Sequence, residues 1–140
     1  FSPGGHPLPT DELMNEMYNC ADYVITTSTG EGWGLSISES AAAGCHVIVP
    51  ANTSCAEIAL KLHCLGNQNI STMELSSTPI VNPMDLSRVR YPVAIEPAVS
   101  LIQNLISSGA HKTRTPLTEA SKNWLDWDRV AGEFLKLFFP

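Results

Sequence analysis

Two short runs rich in β-branched residues, YVITTS at 23–28 and HVIVP at 46–50, flank the segment TGEGWGLSISESAAAGC, and this arrangement limits the fold more than any other feature of the chain. Both runs are too short for buried helices and rich in residues that suit a pleated surface, so both read as strands. Between them Gly30, Gly32 and Gly34 make a turn, and residues 35–43 supply a Ser- and Ala-rich helix that stops at Gly44, a natural C′ residue. A strand that is apolar along its length needs cover on both faces, and two such strands joined by one helix call for a parallel pair. The expected unit is strand, glycine turn, helix, strand with a right-handed crossover, and the expected class is α/β, a parallel sheet with helices on both faces.

The flanks extend this pattern. Thr10 is positioned to cap a helix running to about residue 21, with Asp11 and Glu12 in its first turn. A short helix is expected over 55–62, then a polar, turn-rich passage from Asn67 to Pro92 with one strand near 79–82. Glu96 to Ser107 reads as an amphipathic helix closed by Gly109. From Pro116 or Thr118 a last helical region carries Trp124, Trp127, Val130, Phe134, Leu137 and Phe138 at helical period.

At 140 residues the chain is one domain with one real core. Its net charge of −6, with eight scattered basic residues, makes no stripe that could neutralise a run of phosphates, which argues against nucleic acid as a partner. No run is long enough to span a bilayer. Cys20, Cys45, Cys55 and Cys64 form no CxxC pair, so reduced thiols in a cytoplasmic protein are expected. The start, FSPGGHPLPTDEL, lacks a signal-peptide pattern and a Met and opens on a loop, so it does not read as a natural start.

A turn that leaves the carboxyl end of a parallel strand and enters a helix is a place for an anion. The free N–H groups of Gly34, Leu35 and Ser36, with the helix dipole, point outwards there. Gly32 and Gly34 carry no Cβ, so the backbone can approach a bulky diphosphate. A pyrophosphate alone would be repelled by Glu31 and Glu39. Carboxylates suit hydroxyl groups flanking the phosphates, as a ribose and a sugar would supply, and Glu39 lies one helical turn in from the phosphate end.

This pattern resembles the nucleotide-sugar site of the GT-B glycosyltransferases, in particular the large retaining family numbered four. Its mark is two glutamates with seven residues between them, in a segment E-G-F-G-L, a second E, A-x-A-x-G and a β-branched strand; this chain has EGWGLSISESAAAGCHVIV. MNEMYNCADYVITTS resembles the helix and strand before that motif, AEI after Asn52 to Cys55 resembles its G-x-x-E-I loop with the Gly replaced, and NWLDWDRVAGEFLKLF resembles its terminal helix. The resemblance implies that Glu31 contacts donor-sugar hydroxyls as the catalytic-site carboxylate and that Glu39 contacts the ribose. Gly32, Trp33, Gly34, Leu35 and Ser36 would form the donor-binding turn, with Trp33 chiefly a packing residue.

It also implies a Rossmann-like sheet, the C-terminal half of a GT-B fold, with 1–140 a partial donor-binding domain. The N-terminal domain of the same chain, which binds acceptor, and the Arg and Lys that neutralise donor phosphates would then lie upstream. The implied activity is transfer of a glycosyl group from a UDP- or GDP-linked donor to an unidentified glycan, lipid or protein acceptor, with retention. The isolated segment would be inactive, no metal or other cofactor is implied, and any attachment at a membrane would come through the missing segments. Two rivals are a nucleotide-sugar epimerase on the same fold and a non-catalytic nucleotide-sugar-binding module.

Plainer readings cover the other reactive residues. Ser36, Ser38 and Ser40 lack the G-x-S-x-G context of a nucleophile and read as small helix-face residues. Cys45, His46, Cys55, His63 and Cys64 match no zinc-ligand spacing, and the cysteines read as buried thiols. His6 reads as a solvated loop residue, and Trp124 and Trp127 as core residues that dock the last helix.

Overall fold

A computed structural model describes residues 9–83, 86–110 and 114–139. It is a mixed α/β structure. Three parallel strands, β1 (Tyr23–Ile25), β2 (His46–Pro50) and β3 (Ile70–Met73), form one sheet in the order β1-β2-β3. β2 lies at its centre, with Tyr23 opposite His46 and Val47 opposite Ile70.

Alternation along β2 separates two packing layers. Val47 and Val49 face α2 (Leu35–Ala42) and α3 (Thr53–Cys64), which contribute Ile37 and Ala41, then Cys55, Ile58, Ala59 and Leu62, to one core. The spacing 55, 58, 59, 62 is one helical stripe. Ile48 and Met73 face the other way, against Ala98, Leu101, Ile102 and Leu105 of α4 (Ile95–Ser108). Each large aliphatic side chain buried in these layers contributes about 1.5–3 kcal/mol. The parallel pairing of the two runs and the cover on both faces match the expected class.

Local signals explain most helix boundaries. Thr10 caps α1 (Asp11–Cys20), its Oγ1 accepting the Leu13 N–H at 3.3 Å. Gly44 and Gly109 close α2 and α4 with φ of +83° and +72°, a conformation that favours glycine. Arg114 fastens the ends of two helices: its guanidinium donates to the carbonyls of Tyr18, Asn19 and Ala21 at the end of α1, and to that of Ala43 after α2 at 2.7 Å. A cation there also opposes the negative ends of both helix dipoles.

Four expectations need correction. The first strand is shorter than 23–28, because after Thr26 donates to Ile48 the chain bends, Ser28 N–H turning to Thr26 Oγ1. The helix expected over 55–62 runs from Thr53 to Cys64. The passage Asn67–Pro92 holds β3 and a two-stranded antiparallel hairpin, β4 (Ile80–Asn82) with β5 (Arg88–Arg90), where one strand was expected. The last helical region is two helices, α5 (Glu119–Leu125) and α6 (Trp127–Phe138). They are broken at Asp126, whose Oδ1 accepts the N–H groups of Asp128 and Arg129 and so starts a new helix.

A buried amide ties α5 back to the core. Asn67 is fully buried, and its Oδ1 accepts from Ser121 Oγ at 2.5 Å, while Thr118 Oγ1 donates to the Leu65 carbonyl at 2.8 Å. Among the described residues no helix is long and apolar enough to cross a membrane.

Candidate functional site

All three parallel strands deliver their following loops to one end of the sheet. β1 leads into the glycine turn, β2 into Ala51 and Asn52, and β3 into the excursion whose base is closed by Ser76 N–H to Pro92 O at 2.7 Å and whose tip is the β4–β5 hairpin. The carboxyl end of a parallel sheet is where open α/β folds place ligands.

The start of α3 holds the glycine turn. Thr53 Oγ1 accepts the Glu31 N–H at 3.1 Å, Ser54 Oγ donates to the Glu31 carbonyl at 3.1 Å, and Asn52 Nδ2 donates to the Ser28 carbonyl at 3.2 Å. Thr53 does this at φ +41°, in the left-handed region that β-branched residues avoid. Strain held in place by a ring of hydrogen bonds belongs to ligand-binding turns more often than to bland connections.

With residue 31 anchored, the turn leaves its next amides open. Among the described residues, the backbone N–H groups of Gly32, Trp33, Gly34, Leu35 and Ser36 have no acceptor, while Ile37 N–H already bonds to Gly34 O at 3.0 Å. Gly34 is the N-cap of α2 at φ +79°, and a Cβ there would lie 2.8 Å from Ile37 Cδ1. Gly32 would meet nothing within 4 Å. One glycine is needed for the path of the chain, and the other leaves space outside it.

The two glutamates lie on different flanks of this row of amides. Glu31 lies toward α3, where its charge adds to burial in pushing the Cys55 thiol above its ordinary pKa. Glu39 lies toward α1, its Oε2 accepting from the Tyr18 hydroxyl at 3.0 Å. Partial burial, followed by that hydrogen bond and the Glu39 charge, pushes the Tyr18 phenol up to about 12. Glu39 lines a cleft of about 470 Å³ between α1 and α2. It also lines a second pocket, of about 560 Å³, between α2 and the α5–α6 corner.

Arg90 was not singled out as a site residue, because phosphate-neutralising cations were expected upstream. The hairpin carries Arg90 to the glycine turn, where a Cβ on Gly30 would lie 3.1 Å from the guanidinium carbon. The only sequence signal was the pair Arg88 and Arg90 in a polar passage, which says nothing about position in space. Thr53 lies in the Asn52–Cys55 stretch that resembles the G-x-x-E-I loop, but no spacing assigns it the contact with Glu31.

The remaining reactive residues have structural partners. Ser40 Oγ donates to the Ser36 carbonyl at 2.6 Å and Ser38 Oγ to that of Leu35 at 3.0 Å. His46 Nε2 lies 2.9 Å from Ser71 Oγ and its ring stacks obliquely on Tyr23; burial lowers its pKa. All four thiols are free, and Cys45 and Cys55 are buried, but Cys64 is exposed, contrary to expectation, as is its neighbour His63. Among the described residues, no group of three or more His, Cys, Asp or Glu is placed to hold a metal ion. His6 lies outside the described residues. Trp124 packs against the core, whereas Trp127 is 66% exposed and is not a core residue.

No protein-family model matches the chain, and no curated protein matches it.

Proposed function

We propose that this chain is the donor-binding part of a retaining GT-B glycosyltransferase of the family-four kind, with a Rossmann-like sheet and the turn Gly32–Ser36 as its diphosphate cradle. One observation carries the reading: five consecutive backbone N–H groups without an acceptor at the start of a helix, flanked by carboxylates on two sides. The amides would hold the diphosphate of a UDP- or GDP-linked sugar and stabilise the charge that develops as it leaves. Glu31 would accept hydrogen bonds from the sugar, Glu39 from the ribose, and Arg90 would bring a positive charge to the phosphate side of the turn.

In this reading the acceptor attacks on the face the nucleotide leaves, the acceptor-binding domain is a separate part of a longer cytoplasmic protein, and the segment alone does not turn over. The test is an amide-resolved NMR titration of the 140-residue chain with UDP, GDP and ADP. Saturable shifts centred on Gly32, Gly34 and Leu35, weakened in Glu39→Gln, are expected. Amides of the turn that ignore all three nucleotides in a well-dispersed spectrum would refute donor binding.

A further inference from the structure

We infer that the pocket between α2 and the α5–α6 corner is a binding site for a neutral sugar ring, held on tryptophan faces and hydrogen-bonded by Glu39 and Glu57. All three tryptophans of the chain, Trp33, Trp124 and Trp127, line this one pocket. Trp33 and Trp124 are in contact, with ring centroids 5.6 Å apart and planes tilted by 44°. Trp33 is 36% exposed and Trp127 66% exposed, so two indoles are kept in water around a concavity that the chain does not fill.

The wall that carries them is fixed. Asp126 caps α6, and Arg129 donates through Nε to the Asn123 carbonyl at 2.7 Å, through one terminal nitrogen to the Trp124 carbonyl at 3.0 Å, and through the other to Glu133 at 2.6 Å. Arg129, the pocket's basic residue, is thus engaged within the corner, and its guanidinium serves geometry instead of a ligand. The opposite wall is α2, where the small side chains of Ser38 and Ala42 leave room. At about 560 Å³ the pocket is in the size range of small-molecule sites.

These groups select a ligand by chemistry. A pyranose has an apolar C–H face with a slight positive charge, which suits the negative face of an indole. Its rim of hydroxyls donates to carboxylates, and Glu39 and Glu57 supply them. The same two carboxylates disfavour a phosphate inside this pocket, so its ligand is uncharged. Calling the bound sugar the acceptor rests on the glycosyltransferase reading; the sugar site itself rests on the pocket alone.

The test is the intrinsic tryptophan emission of the 140-residue chain, a signal with no source outside this pocket. The probes are the methyl pyranosides of glucose, galactose, mannose and N-acetylglucosamine, each taken to about 50 mM, well past the roughly millimolar constants typical of small polar ligands. A saturable change with at least one is expected, weakened about ten-fold or more in Trp127→Ala and in Glu57→Gln, both exposed positions whose variants keep the far-UV circular dichroism. Silence with all four glycosides overturns the inference, as does a response to choline in place of them, which would make the pocket an organic-cation site. The glycosides carry no phosphate, and UDP, the probe of the glycine turn, carries no hexose. Failure of one site is therefore read separately from failure of the other.

Discussion

The two glycines of the turn give a paired test, because Gly34 and Gly32 differ in what a methyl group would meet. At Gly34 an Ala side chain must be accommodated at φ +79°, which costs about 1–2 kcal/mol for an L-residue. The methyl would also lie 2.8 Å from Cδ1 of Ile37, which is 1% exposed and has no room to swing away. Overpacking of that kind adds about 1 kcal/mol or more. The total, about 2–3 kcal/mol, corresponds to a melting temperature lower by roughly 10 °C in a domain of this size. Gly32→Ala meets open space at an ordinary φ and should lie within about 0.5 kcal/mol of the parent.

Binding should invert that order of innocence. The methyl of Gly32→Ala occupies the space in front of the free amides, so UDP-induced shifts should need about ten-fold more nucleotide while the melting curve stays in place. Differential scanning calorimetry and the nucleotide titration on the same preparations give both numbers. Equal melting temperatures for the two variants would refute the left-handed conformation at Gly34; undiminished UDP binding by Gly32→Ala would refute the placement of the diphosphate.

Absorbance titration should show the Tyr18 phenol ionising near pH 12, and Glu39→Gln should bring it down by removing the charge while leaving the burial. Because the Tyr18 pKa is raised in the folded state, its contribution to stability is complete below its ordinary 10.0 and is lost as pH rises through about 12; a stability profile flat across that window would refute it. Arg114→Met deletes a guanidinium that bonds to four carbonyls at the ends of α1 and α2. With about 1.5–3 kcal/mol for a buried charged bond, discounted for the exposure of this side chain, the loss should be about 2–3 kcal/mol, read as a lower urea midpoint at constant slope. Arg114→Lys should recover only part of it, since an ammonium lacks the planar fork; full recovery would show that charge alone matters.

The legible part of the fold is the part written in local signals. HVIVP is apolar at every position and became the central strand without revision, and the helix ends at Gly44 and Gly109 followed from residues that tolerate left-handed backbone. β3 was hidden because Ile70–Met73 places Ser71 and Thr72 between its two apolar ends; it is a strand through pairing with β2, and its Ser71 meets His46 across the pair. The break at Asp126 was hidden for a different reason: helical periodicity runs on through it, and only the cap interrupts the chain path. The segment from Glu31 in the turn to Glu39 in α2 is visible as a motif. What holds it, Thr53 and Ser54 from 22 and 23 residues away, and what lies against it, Arg90, depend on contacts that no spacing rule encodes.

Helix α6 has a thermodynamic consequence. Trp127, Phe134, Leu137 and Phe138 are each more than half exposed, and none of its described residues is buried. A helix of 12 residues is marginal in water without burial of its apolar face. Any surface that covers that face binds the helix and not the coil, so it shifts the helix–coil equilibrium by mass action. At a concentration 100 times its dissociation constant the shift is about 2.7 kcal/mol, comparable with the effect of the Gly34 substitution. The melting point of this end of the chain is thus a property of composition as well as of sequence, and its concentration dependence measures the affinity of whatever α6 meets.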